Sequence, residues 1–358
     1  MNKNDISKID PNFKITTDLP EKDIYFYDVR LQPFKGYGLY RFSEGEQFRR
    51  IPEDVARKTS EGVHYLRTNT AGGRVRFKTN SKYIAIKSIM PDVCHMAHMP
   101  LLGSSGFDMY EYKNGRYTFV KAFVPPTDLK HGYESIMHFE TNEMHDLTIN
   151  FPLYNNLDSL YIGLQDTAVL QPAEEYSRPK PVLYYGSSIT QGGCASRPGN
   201  SYQGIISRKL DCDYINLGFS GSGRAEEAIV TYLASLDISA FVCDYDHNAP
   251  SAEYLEQTHV RLYDIFRSKQ PLTPILMISK PDFSSTSGAD RRRRAIILET
   301  YLNALKRQDE NVYFIDGETL FGLENRDCCT VDGCHPNDLG FERMATVIGG
   351  VLEKILVY

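Results

Sequence analysis

The chain reads as an α/β protein in two parts: an amino-terminal β-sandwich of jelly-roll type, then a parallel sheet layered between helices. Three observations predict this. From about Ile24 to Leu170, short runs alternate apolar and polar residues and are separated by turn residues. Beyond a proline-rich stretch, short apolar runs alternate instead with helical segments, and no internal repeat or low-complexity tract blurs the change. Period-two alternation marks strands with one buried face. Repeated β-α units imply parallel strands, because parallel neighbours need a crossover connection.

In the first part, Gly73 to Lys78, Tyr83 to Lys87 and Asp146 to Phe151 are representative strands, and no long helical period interrupts them. Pro172-Ala-Glu-Glu-Tyr-Ser-Arg-Pro-Lys-Pro181 suits a linker, so the parts are assigned to residues 1–175 and 176–358. In the second part strands are expected at Val182 to Tyr185, Tyr214 to Leu217, Ala240 to Cys243, Pro274 to Ile278 and Val312 to Ile315. Helices are expected at Tyr202 to Leu210, Ala225 to Leu236, Ala252 to Ser268, Asp290 to Gln308 and Leu339 to Leu356. In such a sheet ligands bind at the carboxyl ends of the strands.

Composition narrows the function classes. With 358 residues and 41% apolar content the chain can build two cores. A formal charge of −6 without a long basic stripe argues against a nucleic-acid partner. No run approaches the roughly 18 to 20 apolar residues of a membrane span, and Met1 to Asp10 is polar, so no membrane partner is expected. The sequence therefore reads as cytoplasmic, or as exported if a leader was removed. Seven cysteines, with Cys328 and Cys329 adjacent, suit reduced thiols better than a disulfide framework.

Four blocks carry chemistry. The first strand of the second part breaks into Gly186-Ser-Ser-Ile-Thr-Gln-Gly-Gly193, a tight turn that exposes a hydroxyl at a sheet edge. Taken alone, such a turn is more often a helix cap or an anion-binding turn. The second strand runs into Asn216-Leu-Gly-Phe-Ser-Gly-Ser-Gly223, whose glycines let a backbone N–H approach a substrate oxygen. The third ends in Asp244-Tyr-Asp-His-Asn-Ala249, where Asn248 offers a neutral N–H donor and Asp244 and Asp246 do not unless protonated. Before the last helix, Thr330-Val-Asp-Gly-Cys-His-Pro-Asn337 sets Asp332 three residues from His335, so that a turn lets the carboxylate hold one imidazole nitrogen.

Together these blocks resemble the SGNH, or GDSL-type, hydrolase family. The family's Gly-Asp-Ser turn is similar to Gly186-Ser187-Ser188, its glycine to Gly221, its asparagine to Asn248, and its terminal Asp-x-x-His to Asp332 through His335. Ser187 stands where the family usually has aspartate, and Asp246-His247 precedes Asn248 where Gly-x is commoner. Gly106-Phe-Asp-Met-Tyr110 is similar to the Gly-x-Asp-Leu-Tyr motif of a β-rich domain that precedes the hydrolase in a bacterial, carbohydrate-esterase-like branch. The resemblance implies a flavodoxin-like three-layer α/β/α hydrolase domain. It implies a triad of Ser188, His335 and Asp332, an oxyanion hole of Ser188, Gly221 and Asn248, and no cofactor or metal. The expected substrate is a small-molecule or oligosaccharide ester with a short acyl group, such as acetyl. Oligomeric state is not legible.

Rival readings are a lipase or thioesterase for longer acyl chains, and an inactive carbohydrate-binding protein. Zinc held by Cys328, Cys329, Cys334 and His335, with Asp244, Asp246 and His247, is disfavoured by spacing, and a triad histidine cannot be a ligand in the same state. Arg291 to Arg294 reads as a solvated helix face, Met96 and Met99 as core filling, and Tyr110, Tyr112 and Tyr117 as packing before a sugar-binding face.

Overall fold

The computed structural model describes residues 16–45, 47–281 and 288–356. The polar stretch Met1 to Asp10 lies outside the described residues. The first half contains β1 (Ile24–Asp28), β2 (Lys35–Tyr37), β3 (Arg74–Thr79), β4 (Tyr83–Ile89), β5 (Phe107–Lys113), β6 (Arg116–Phe123), β7 (Glu134–His138), β8 (His145–Asn150), β9 (Ser159–Gln165) and β10 (Leu170–Gln171). They form two antiparallel sheets, ordered β1-β9-β4-β7 and β10-β3-β8-β5-β6, with β2 on the far side of β3. Val75, Phe77, Ile84, Ile86, Leu147, Ile149 and Ile162 meet in one core. Among the described residues, three short helices join them: α1 (Glu53–Thr59), α2 (Glu61–Leu66) and α3 (Leu101–Ser105).

The polar face of β3 and β8 is not a solvent face. Every residue of β8, and all of β3 except Lys78, is buried. Arg74 and Arg76 alternate with Val75 and Phe77, as period two requires, but point away from the sandwich core and into the other half of the chain. Arg74 reaches Asp213, the Tyr176 hydroxyl at 2.9 Å and the Tyr214 carbonyl at 3.2 Å, and lies over the Tyr214 ring at 4.0 Å. Arg76 lies over the Tyr176 ring at 4.1 Å.

The proline-rich stretch is correspondingly no free tether. Tyr176 is buried between these arginines, Glu174 pairs with Lys78 and Glu175 with Lys35, and a strand has already begun at Arg178. That strand opens the second half: β11 (Arg178–Gly186), β12 (Cys212–Gly218), β13 (Ala240–Asp244), β14 (Ile275–Ile278) and β15 (Val312–Ile315). All pair in parallel, in the order β12-β11-β13-β14-β15. Connections leave in opposite directions around β11, which makes its carboxyl end a topological switch point.

Helices α4 (Ser188–Gln191), α5 (Tyr202–Leu210), α6 (Glu227–Leu233), α7 (Ala252–Lys269), α8 (Gly288–Lys306) and α9 (Asp338–Ile355) cover the sheet. Along β11, Leu183 and Tyr185 enter a core shared with α6, α7 and α8, whereas Val182 and Tyr184 enter one shared with α5 and α9. Burial on both faces is why these strands read as apolar runs rather than alternations. Among the described residues no helix is long and apolar enough to cross a membrane.

Candidate active site

Strand β11 ends at Gly186, where an added Cβ would sit 1.9 Å from the Asp244 carbonyl and 2.1 Å from the Thr190 hydroxyl. Only glycine lets the chain turn this closely beside β13. The two serines that follow have different fates. Ser187 is fully buried and its hydroxyl accepts from the Ile189 N–H at 3.2 Å, capping α4. Ser188 is half-buried, and its Oγ lies 2.9 Å from His335 Nε2.

His335 is held from the other side. Its Nδ1 is 2.7 Å from Asp332 Oδ2, while Asp332 Oδ1 accepts from the backbone N–H groups of His335 at 2.7 Å and Cys334 at 3.0 Å. Partial burial opposes ionisation of Asp332, but these hydrogen bonds outweigh it and bring the carboxyl down to about 2. The turn is closed by a Thr330–Pro336 bridge and by Gly333 at φ +83°. Asn337 then caps α9 by accepting from Gly340 N–H at 3.1 Å.

The remaining pieces sit at the ends of β12 and β13. Gly221 has φ +67°, a left-handed conformation that favours glycine, and its carbonyl accepts from Arg224 at 2.9 Å. Among the described residues the N–H groups of Ser188 and Gly221 have no protein acceptor. Asn248 donates one side-chain N–H to the Phe219 carbonyl at 3.0 Å, which orients the amide and leaves its second N–H unspent. Ser188, Gly221, Asn248, Asp332 and His335 thus all lie at the carboxyl edge of the parallel sheet.

The chain is 30% identical to a Bacteroides ovatus protein of solved structure named as a GDSL-like lipase, over 93% of this chain and 98% of that one, with a TM-score of 0.84. The model of the GDSL-like lipase/acylhydrolase family matches residues 179–353. The chain belongs to the GDSL-like lipase/acylhydrolase family. This GDSL-type hydrolase also matches, over residues 24–170, the model described as the N-terminus of SGNH hydrolase-type esterases, and so stands among the SGNH-type esterases. Its fold is shared with the salicylyl-acyltransferase SsfX3 of a tetracycline biosynthetic pathway, at 18% identity, with 94% and 100% of the two chains covered and a TM-score of 0.72. It is shared too with a family two carbohydrate esterase from Clostridium thermocellum, solved in complex with cellohexaose, at 14% identity, 90% and 99% coverage and a TM-score of 0.61. No curated protein sequence matches the chain.

Several residues of the hydrolase beside these blocks have no motif of their own. The Tyr154 hydroxyl, from the first half, donates to the Ser188 carbonyl at 3.2 Å. Gln191 accepts from Ser220 N–H at 3.0 Å and donates to Asn69 at 3.1 Å, tying α4, the loop after β12 and the first half together. Buried Arg50 places its guanidinium 2.5 Å from the Gly218 carbonyl and 4.6 Å from the Phe219 ring, under the loop that carries Gly221. Only Gln191 had a local signal, its place in the Gly186 to Gly193 block.

The Gly106 to Tyr110 motif works at a distance from the reacting groups. Fully buried Asp108 accepts from Asn150 at 2.9 Å, from the Gly199 N–H at 2.9 Å and from Arg197 at 3.1 Å, and Arg197 also donates to the Tyr110 hydroxyl at 2.6 Å. Tyr117 donates to Asp211 at 2.7 Å, so Tyr110 and Tyr117 belong to the seam between the halves rather than to an open sugar platform. The arginine run is only partly a solvated face: Arg293 donates to the carbonyls of Asp246 and Ala249 and so braces the turn bearing Asn248.

The cysteine and histidine groups do not assemble as the zinc reading required. Cys334 lies 3.8 Å from His247, but the His/Cys/carboxylate group that converges among the described residues is His98, Cys194 and His335. Burial pushes the Cys194 thiol up to about 12, with Asp332 adding to the effect, so without a metal it is a neutral thiol and a poor nucleophile.

Proposed function

We propose that this esterase removes short acyl groups, acetyl above all, from a carbohydrate through a covalent acyl-serine. Ser188 Oγ attacks the ester carbonyl carbon while its proton passes to His335 Nε2, and Asp332 stabilises the imidazolium that forms. The N–H groups of Ser188 and Gly221 and the free amide hydrogen of Asn248 receive the developing oxyanion. As the tetrahedral species collapses, the alcohol departs with the proton from His335. Water then attacks the acyl carbon with His335 as base, releasing the carboxylic acid and restoring the serine.

The observation that carries this reading is the unbroken contact from Ser188 Oγ to His335, 2.9 Å, and from His335 to Asp332, 2.7 Å. Support for a carbohydrate comes from the neighbouring fold that binds cellohexaose, and support for a short acyl group from the absence of an obvious apolar lid in the sequence. The test is hydrolysis of p-nitrophenyl acetate, butyrate and octanoate by the protein and by Ser188→Ala, together with acetate release from a panel of acetylated oligosaccharides. Acetyl ester turnover lost in Ser188→Ala, with acetate released from at least one glycan, is the expected result. Faster turnover of octanoate than acetate would make the enzyme a lipase or thioesterase, and full activity of Ser188→Ala would remove Ser188 from the reaction.

A further inference from the structure

A segment of the first half, residues 92–100, reaches over the second half and ends beside His335. Its anchors are local: Cys94 N–H donates to Asn155 at 2.8 Å, Met99 is buried in the core that also holds Ile189 and Ala195, and Met96 packs against that same core. Between the two methionines, His98 remains exposed, and its ring centroid lies 5.6 Å from that of His335. Cys194 enters from below, on the turn after α4, buried and with φ +76°. One ligand atom from each of His98, Cys194 and His335 lies within 4.8 Å of the others.

We propose that these three side chains form an inhibitory zinc site that takes the esterase out of action by capturing its histidine. Two imidazoles and a thiol are the donor set that selects Zn²⁺ over hard cations such as Mg²⁺ and Ca²⁺, and three protein ligands leave a fourth position for water. Nδ1 of His335 is committed to Asp332, so the nitrogen left for the metal is Nε2, the same atom that faces Ser188. Coordination bonds then form from His98, His335 and the Cys194 sulfur, and the thiol proton passes to solvent. Zinc and a Ser188-to-His335 proton transfer compete for one lone pair, so the metal-bound protein is inactive. His98 is exposed, which gives the ion an approach that does not require the core to open.

The inhibitory part rests on the acyl-serine reading above; the binding part does not. The experiment is therefore twofold, with the full chain and its His98→Ala and Cys194→Ser variants. Cobalt(II), as a spectroscopic stand-in, is titrated while thiolate-to-metal charge-transfer absorption is recorded. Zinc is titrated against p-nitrophenyl acetate turnover. The expected result is a one-to-one cobalt spectrum with a thiolate band that Cys194→Ser removes, and micromolar zinc inhibition that His98→Ala weakens by about tenfold or more, since even outer-shell partners of a metal are worth that much. Both variants retain turnover without metal. No thiolate band, or zinc inhibition equal in all three proteins, overturns the site. A cobalt spectrum in a protein whose Ser188→Ala variant keeps full activity would sink the acyl-serine reading while leaving the metal site standing.

Discussion

Asp108 and Arg197 lie 3.1 Å apart across the seam between the two halves of the chain, with the Asp108 side chain fully buried and the Arg197 side chain 22% exposed. The pair explains why an aspartate stands in the middle of an apolar motif on β5: its carboxylate is spent on the turn at Gly199, on Asn150 and on Arg197. Asp108→Ala should cost about 3 kcal/mol of unfolding free energy, at the lower end for breaking a buried pair because Arg197 keeps some water. Urea denaturation checks this. A midpoint equal to the parent protein's would mean that the motif does not clamp the seam.

Adjacent serines differ sharply in surroundings, so chemical labelling should separate them. Ser188→Ala is expected to abolish reaction with a fluorophosphonate probe. Ser187→Ala keeps labelling but loses the cap on α4, a cost of about 1 kcal/mol. Mass spectrometry of the labelled peptide reads the outcome, and label on residue 187 would reverse the assignment.

Asn248 is oriented by the Phe219 carbonyl, and in the proposed mechanism its second N–H meets the oxyanion. Asn248→Ala should lower kcat by about 100- to 1000-fold, the usual loss of one such donor, with the fold unchanged. Circular dichroism and p-nitrophenyl acetate kinetics together check it; unchanged turnover would remove Asn248 from the oxyanion site.

The carboxylate behind the imidazole admits a cleaner substitution. Asp332→Asn keeps the shape of the turn but favours the wrong imidazole tautomer, and should cut kcat by roughly 10⁴-fold with KM little changed. Equal falls in binding and turnover would point instead to a collapsed loop.

Asp246 supplies a pH signature away from the triad. Burial raises its carboxyl to about 6, against the Lys280 N–H at 3.1 Å and the charges of Lys280 and Arg293; buried Asp244 and half-buried His247 are its other titratable neighbours, and Asp290 pairs with Lys280. A carboxyl whose folded value exceeds the unfolded one, about 3.9, contributes most below about pH 4 and loses that contribution as pH rises through the folded value. Asp246→Asn cannot ionise, so its stability relative to the parent should be flat below about pH 4, grow between about pH 4 and about pH 7, and level off above that. Chemical denaturation across that range decides the matter; a difference independent of pH would show that Asp246 does not titrate there.

The alternation in Tyr83 to Lys87 and the apolar runs at Val182, Ala240 and Val312 were enough to place strands, because short-range sterics and the need to bury one face or two act within a few residues. Spacing likewise paired Asp332 with His335, since three residues fit within one turn. Those signals are local. Ser188 and His335 are 147 positions apart and are brought together only by the parallel sheet, which delivers both to one edge. The same holds for the buried face of Arg74 and Arg76 and the approach of His98 and Cys194 to His335. Each depends on surfaces far apart in the chain meeting side to side, and packing of that kind leaves no periodicity in the residues that take part.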